Sequence, residues 1–310
     1  MDNFNVNINV DDILTQREEE NVNLRVNTFN VKNYLQARLS DKEDAKEITI
    51  RLLPFSPNGG SPFYKIFMHQ VKVNKDVSPS GWKRFPCPQK NHVDGNCPFC
   101  ETAELARTLK KNAVSDVDKK RYDEVEKSSY ARPMWLVRCI ERNHEEDGVK
   151  YWLFSDSKQK DGIYDKIHAI FRKRLEKGKN IFDLNSGKDL CLSLTKDSNG
   201  ITRIAITDED EWTPLTTDYD LGVSWINDPK VWTDVYKVKP YDYLSIILKG
   251  GVPVYNKELQ KFVDRDEMKN QTEEQHHMQD DIPAHEVVQV ENIQNKMSSY
   301  DDEDDDDLPF

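Results

Sequence analysis

Phe85-Pro86-Cys87-Pro88-Gln89-Lys90-Asn91-His92-Val93-Asp94-Gly95-Asn96-Cys97-Pro98-Phe99-Cys100 holds three of the chain's five cysteines within fourteen residues, two of them as a Cys-x-x-Cys pair. Zn²⁺ takes four N/S ligands tetrahedrally, and a Cys-x-x-Cys turn aims two thiolates at one ion. Pro98 stiffens that turn, and Gly95 and Asn96 let the preceding loop reverse. Ordinary thiols and a redox pair are the rival readings. A redox Cys-x-x-Cys opens a helix after a strand; this one follows a polar loop with a third cysteine beside it. The spacing predicts one structural zinc on Cys87, Cys97, Cys100 and a histidine. His92 is nearer in sequence, while His69 follows an apolar stretch, Phe63-Tyr64-Lys65-Ile66-Phe67-Met68, that reads as a strand feeding the site.

Outward from that loop, short strands dominate. Ile48-Thr49-Ile50-Arg51-Leu52-Leu53-Pro54 alternates as a strand should, Asn58-Gly59-Gly60-Ser61 is turn chemistry, and a second strand is expected over 63–73. Residues 101–127 suit one or two helices. Strands return at 134–140 and 149–154, and Ile163, Ile167, Ile170 and Phe171 share a helical face. Residues 190–195 and 201–207 read as a hairpin around Asp197-Ser198-Asn199-Gly200. The Trp- and Tyr-rich stretch 225–249 ends in a helix through Leu244–Leu248. Before residue 46 the chain is polar and Asn-rich, with helices expected over 13–20, capped by Asp11 or Asp12, and over 31–39. The expected class is α+β, mainly β with added helices. It divides into an interaction arm at 1–45, a core at 46–263 and a disordered acidic tail at 264–310. A zinc subdomain at about 69–127 interrupts strands that suit a small Greek-key barrel of the OB-fold type, a barrel that commonly serves single-stranded nucleic acid.

The net charge of −12 conceals a division. Residues 264–310 carry a net of −13 and residues 1–45 a net of −4, leaving 46–263 at +5. A basic body with an acidic tail keeps nucleic acid open as a partner, where an evenly acidic protein would argue against it. Cysteines clustered for metal argue for a reducing compartment rather than a disulfide framework. The first residues lack the basic and apolar regions of a secretory leader, and no run approaches the length of a membrane span, so a soluble, cytoplasmic protein is expected.

The tail, with its His276-His277 pair expected to be solvated, ends in seven consecutive acids, Asp301–Asp307, followed by Leu308-Pro309-Phe310. The acids repel and stay extended. An aromatic beside a free carboxylate suits capture in an apolar pocket with a basic rim. Asp305, Asp306, Asp307, Leu308, Pro309 and Phe310 are therefore read as a partner-binding tip.

That ending resembles the C-terminal tip of bacterial single-stranded DNA-binding proteins. The body resembles the zinc-containing, helix-destabilising single-stranded DNA-binding proteins of T-even-type phages. The signs are Ile50-Arg51-Leu52-Leu53-Pro54, His69, Cys87, Cys97-Pro98-Phe99-Cys100, Gly148-Val149-Lys150-Tyr151-Trp152-Leu153-Phe154 and Ile163-Tyr164-Asp165-Lys166-Ile167. The resemblance implies a protein coating single-stranded DNA in phage replication, recombination and repair within the infected bacterial cytoplasm. It implies recruitment of polymerase, helicase or helicase loader and recombinase through the tail, and self-association on DNA. It also implies His69 as the fourth ligand, although a longer gap to Cys87 here keeps His92 as the alternative. The family's basic N-terminal arm has no counterpart in this acidic one.

Single-strand binding needs a positive groove for phosphates and aromatic faces for bases. The candidates are Lys83, Arg84, Tyr130, Arg132, Arg138, Lys150, Tyr151, Trp152 and Arg203. Alternation puts Arg132, Met134, Leu136 and Arg138 on one face of their strand and Trp135, Val137 and Cys139 on the other, so Trp135 is expected in the core. Tyr151 and Trp152 oppose each other, and the resemblance favours Trp152 as the ring facing DNA. No Gly-x-x-x-x-Gly-Lys-[Ser/Thr], His-Glu-x-x-His or Gly-x-Ser-x-Gly pattern occurs, so no catalysis is expected. The alternatives are a zinc-dependent regulator that binds duplex DNA, and a metal-dependent nuclease using carboxylates such as those of Asp208-Glu209-Asp210-Glu211.

Overall fold

Seven stretches of alternating or apolar sequence form one antiparallel sheet: β1 (Ala45–Leu53), β2 (Phe63–Lys72), β3 (Trp82–Pro86), β4 (Arg132–Glu141), β5 (Lys150–Ser155), β6 (Leu190–Lys196) and β7 (Thr202–Asp208). They are drawn from a computed structural model that describes residues 31–40, 42–56, 58, 60–156 and 162–268. The strand order is β3-β2-β4-β1-β6-β7, with β5 also on β4. β4 makes this possible by its length. Its residues 132–137 pair with β2 and 138–141 with β1, while 134–139 pair with β5. The β6–β7 hairpin turns at Asp197, whose carboxylate accepts from the amides of Asn199 and Ile201, with Gly200 at φ +80° as the turn requires.

The sheet does not close into the expected barrel among the described residues. Closure needs the two end strands to meet with a consistent stagger, and here β3 and β7 are given to other partners. Six helices among the described residues pack around the sheet: α1 (Pro98–Asn112), α2 (Asp116–Ser129), α3 (Ile163–Leu175), α4 (Tyr219–Ile226), α5 (Trp232–Val235) and α6 (Tyr241–Leu248). Pro98 opens α1, and the Ser115 hydroxyl caps α2 by accepting from Val117 and Asp118. β3 packs Phe85 against Tyr243 of α6, and α3 lies against β7. A separate hairpin, β8 (Pro253–Asn256) and β9 (Lys261–Asp264), packs Phe262 on Tyr243.

A helix over 31–39 is not formed. A single 3₁₀ turn at Val31–Asn33 gives way to extended chain, where Tyr34 bridges Tyr151 in parallel and the Leu35 amide donates to the Tyr151 carbonyl at 3.0 Å. The free edge of β5 offers hydrogen bonds and two apolar faces, which outweigh a weak helical propensity. Tyr34 packs with Ile66, Met134 and Leu136 on one side, Leu35 with Ile50, Val137 and Trp152 on the other. The packed body therefore begins before residue 46. The helix expected at 13–20 and the tail from 269 onward lie outside the described residues.

Charge is also buried in the body. Arg51, 1% exposed, donates to Asp189 at 2.5 Å and to the Thr213 carbonyl at 3.0 Å, and Arg142 donates to the same carboxylate at 2.8 and 3.0 Å. Two guanidinium groups around one carboxylate tie β1, the end of β4 and the segments at 189 and 213 together.

Trp152, 3% exposed, packs between Val137, Phe154 and Leu35 in the largest core cluster. Trp152→Ala should cost about 3–5 kcal/mol through lost burial and the cavity left behind. A urea midpoint well below that of the parent protein is the expected reading, while Arg203→Ala at the surface should leave the midpoint in place.

Candidate metal centre and nucleic-acid interface

The cysteine loop is fastened to β2. The Cys87 amide donates to the Phe67 carbonyl at 2.9 Å, and the Asn91 side chain both accepts from the Phe67 amide and donates to its carbonyl at 2.8 Å. Two residues along the same face of β2, His69 is fully buried and aims Nε2 at the thiols. Its Nδ1 lies 2.9 Å from the Ser129 carbonyl. A carbonyl can only accept, so Nδ1 carries the proton and Nε2 keeps its lone pair for a metal. Cys97 precedes α1 and Cys100 sits in its first turn, where the helix dipole favours thiolate.

Cys87 Sγ and Cys100 Sγ are 3.4 Å apart, His69 Nε2 is 3.2 Å from Cys97 Sγ and 3.9 Å from Cys100 Sγ. All four ligand atoms lie within 4.8 Å of one another. A tetrahedral zinc with its usual bond lengths spaces sulfurs about 3.8 Å apart and sulfur from nitrogen about 3.5 Å. The cluster can hold one metal ion, and three sulfurs with one imidazole nitrogen fit Zn²⁺. Hydrogen bonds from the Cys100 and Cys97 thiols hold Cys87 well below the ordinary thiol range, and Cys100 is in turn pushed up to about 11 by its bond to Cys87. A divalent cation at the centre lets all three ionise. The Lys90 amide, donating to Cys87 Sγ at 3.3 Å, adds a further anchor for the thiolate. His92 is not part of the cluster. It is exposed, in a left-handed conformation at φ 56°, and lines an adjoining cleft.

The basic and aromatic candidates divide sharply. Arg138 is buried, donating to the carbonyls of Pro54 and Trp225 at 3.1 and 3.0 Å. Lys150 is buried between Glu141 at 2.6 Å and Asp147 at 2.9 Å. Tyr151 is buried and its hydroxyl donates to the Lys230 carbonyl at 2.6 Å. With Trp152 in the core, these four residues serve the fold. The reason is that both faces of β4 and β5 are covered: Tyr34, Trp232, Val235 and Tyr236 close over one, Leu35 and Ile167 over the other. Arg203 is exposed and paired with Asp197 at 2.8 Å. Lys83 is half-buried, its amine lowered from the ordinary lysine value by that burial. Arg84, Arg132 and Tyr130 reach the surface, wholly or in part.

A track of rings and lysines runs along the face of β2 that also carries His69. Register places Phe63, Lys65 and Phe67 beside Val137, Trp135 and Pro133 of β4. The Lys65 amine lies 4.3 Å from the centre of the Trp135 ring, which is stacked on Tyr164 of α3 at 4.2 Å. Asp156 holds both, accepting from the Trp135 indole at 2.9 Å and from Lys65 at 3.0 Å. At one end the track opens into a cleft of about 500 Å³ lined by Phe63, Tyr164, His168, Phe171 and Phe182. At the other a cleft of about 440 Å³ lies beside the cysteine loop, lined by Phe67, Lys90, His92, Arg107 and Tyr130. There the Lys90 amine stands 4.0 Å above the Tyr130 ring.

Of these residues the sequence singled out Tyr130 for binding, and it placed Trp135 in the core, whereas Trp135 is half-buried and borders the track. Phe63, Lys65 and Phe67 share period-two spacing in a strand already assigned, and that spacing was the available signal. Tyr164, His168 and Phe182 reach the same place only through tertiary packing.

No model of a known protein family matches this sequence, and no curated protein matches it either.

Elemental analysis of purified protein should find one zinc ion per chain, which Cys97→Ser or His69→Ala should abolish and His92→Ala should retain in full. Chelation of the metal should lower the melting temperature, because metal binding and folding share one free energy. Metal retained by the His69 variant and lost by the His92 variant would reverse the ligand assignment.

Proposed function

We propose that the protein binds single-stranded DNA with little regard for sequence and performs no catalysis. The observation that carries this is the track on β2, where phenylalanine, tyrosine and tryptophan rings alternate with Lys65 and Lys90. Bases of any identity stack on rings, and lysines take the phosphates, so such a surface is tolerant of sequence and sensitive to salt. The Cys₃His cluster is read as one structural Zn²⁺ that fixes the cysteine loop, and with it Lys90 and Tyr130, against β2. On this reading the open sheet is a splayed relative of the OB barrel, with the cysteine loop, α1 and α2 as its zinc subdomain.

The resemblance to the helix-destabilising proteins of T-even-type phages supports the same reading and extends it. The protein would coat single strands in replication, recombination and repair inside an infected bacterium. Its acidic tail, with Leu308-Pro309-Phe310 as the tip, would recruit replication and recombination proteins. No described helix is long and apolar enough to cross a membrane.

Titration with homopolymeric single-stranded DNA, followed through tryptophan fluorescence at several salt concentrations, tests this directly. Tyr130→Ala should weaken binding by about 1–3 kcal/mol through lost stacking. Lys90→Gln should reduce the slope of log affinity against log salt by about 0.7, the share of one phosphate contact on a single strand. Asp156→Asn should tighten binding, since it removes the carboxylate that competes for Lys65. Duplex DNA competing as well as single strands would favour a duplex-binding regulator, and Mg²⁺-dependent cleavage of labelled DNA would favour a nuclease. Either outcome overturns the proposal.

A further inference from the structure

The opposite face of β2 gathers a second group of donors, two of them buried and without a hydrogen-bond partner among the described residues. Register places Arg132 of β4 and Pro86 of β3 on either side of Met68, and Arg84 of β3 beside Gln70. All of these residues lie on the face that also bears Ile66 and Met68, away from the metal and the track. Tyr236, which follows α5, belongs to the same core cluster as Ile66 and Met68, its ring edge-on to that of Tyr34 at 5.3 Å. The Nε of Arg84 and the hydroxyl of Tyr236 are both shut off from solvent, and neither has a hydrogen-bond partner among the described residues. Tyr236 itself is only 9% exposed.

An unsatisfied buried donor is costly, and each one in a folded protein calls for an explanation. Here two occur in neighbouring side chains, one of them cationic. The groups that act electrostatically on Arg84 are Tyr236 and Arg132. Burial keeps the Tyr236 phenol protonated, so it cannot serve as counter-charge, and Arg132 repels. No hydrogen bond or ion pair engages either guanidinium among the described residues. Two guanidiniums with no acid between them, beside a buried hydroxyl with nothing to donate to, are complementary to one anion that carries several acceptor oxygens.

We propose that Arg84, Arg132 and Tyr236 form a phosphate-binding site, distinct from the track on the other face. The surroundings favour a backbone phosphate of a nucleic-acid strand over free phosphate. Trp82, two residues before Arg84 on the same face, is half-buried and offers a ring, with the Lys72 amine 5.4 Å from its centre. A strand occupying the site would meet a ring and a lysine within one further step. The site stands on its own donors and does not depend on the track binding DNA.

Calorimetric titration of the full chain with inorganic phosphate, at constant ionic strength in chloride, reads the site without any DNA. The parent protein should bind one phosphate. Arg84→Gln should abolish that binding, and Tyr236→Phe should weaken it about tenfold, the worth of one hydrogen bond to a charged group. Arg203→Gln should bind as the parent does. Tyr236→Phe removes only an unsatisfied hydroxyl, so its melting temperature in chloride should equal or exceed the parent's, which separates loss of the site from loss of the fold. A second arm measures the salt slope for a single-stranded thymidine homopolymer. A slope reduced by about 0.7 in Arg84→Gln identifies the strand as the source of the phosphate. An unchanged slope in Arg84→Gln, with free phosphate bound by the parent and lost in that variant, assigns the site to a free phosphate instead. If neither ligand distinguishes Arg84→Gln and Tyr236→Phe from the parent, the site does not exist.

Discussion

The organising constraint is the two-residue alternation of one strand. β2 is paired on both edges, to β3 and to β4, so its side chains can only go up or down and their order is fixed by the pleat. One face reads Phe63, Lys65, Phe67, His69, Val71, and the other Tyr64, Ile66, Met68, Gln70, Lys72. The first face passes from aromatic cleft to metal ligand to core in five alternate positions. The second passes from core to the donors beside Arg84. A shift of one residue in register would exchange these faces, placing Ile66 and Met68 in the track and His69 among apolar side chains far from the thiols. The Cys₃His cluster depends on the observed register, because only that register brings the imidazole to the cysteines.

Much of this was legible in the sequence. Strands β1, β2, β4, β5, β6 and β7, the helix at 163 and the hairpin at 197 follow from periodicity and turn chemistry, and the three thiols follow from spacing alone, whereas β3 and the β8–β9 hairpin were not read from the sequence. The choice between His69 and His92 was not a matter of distance along the chain. His92 is five residues from Cys87 and still stands outside the cluster, exposed and with a left-handed backbone at φ 56°. His69 is eighteen residues away in sequence, yet the pairing of β2 with β3 carries it to the site.

Alternation gave the two faces of β4 as well, but it could not say that both would be covered. The cover over Met134, Leu136 and Tyr151 comes from Tyr34 at one end of the body and from Trp232, Val235 and Tyr236 at the other. Counting charge misled for a related reason. Arg51, Arg138, Lys150 and Lys188 are buried, and each is engaged with carbonyls or carboxylates. Their positive charge belongs to the fold, so the mildly basic body offers fewer surface cations than its composition implies. Those that remain, such as Lys65, Lys90 and Arg132, matter by position rather than by number.

The pitch of β2 has a mechanical consequence for anything laid along it. Side chains on one face recur about every 6.6 Å, twice the rise per residue of a strand, whereas neighbouring bases in a duplex strand lie about 3.4 Å apart. On the proposed reading, bases cannot occupy successive positions of the track in their stacked spacing. The two rings that β2 itself offers, Phe63 and Phe67, stand four residues apart, about 13 Å, with Lys65 between them, so on that reading a strand seated on both rings is spaced away from the stacked geometry it has in a duplex.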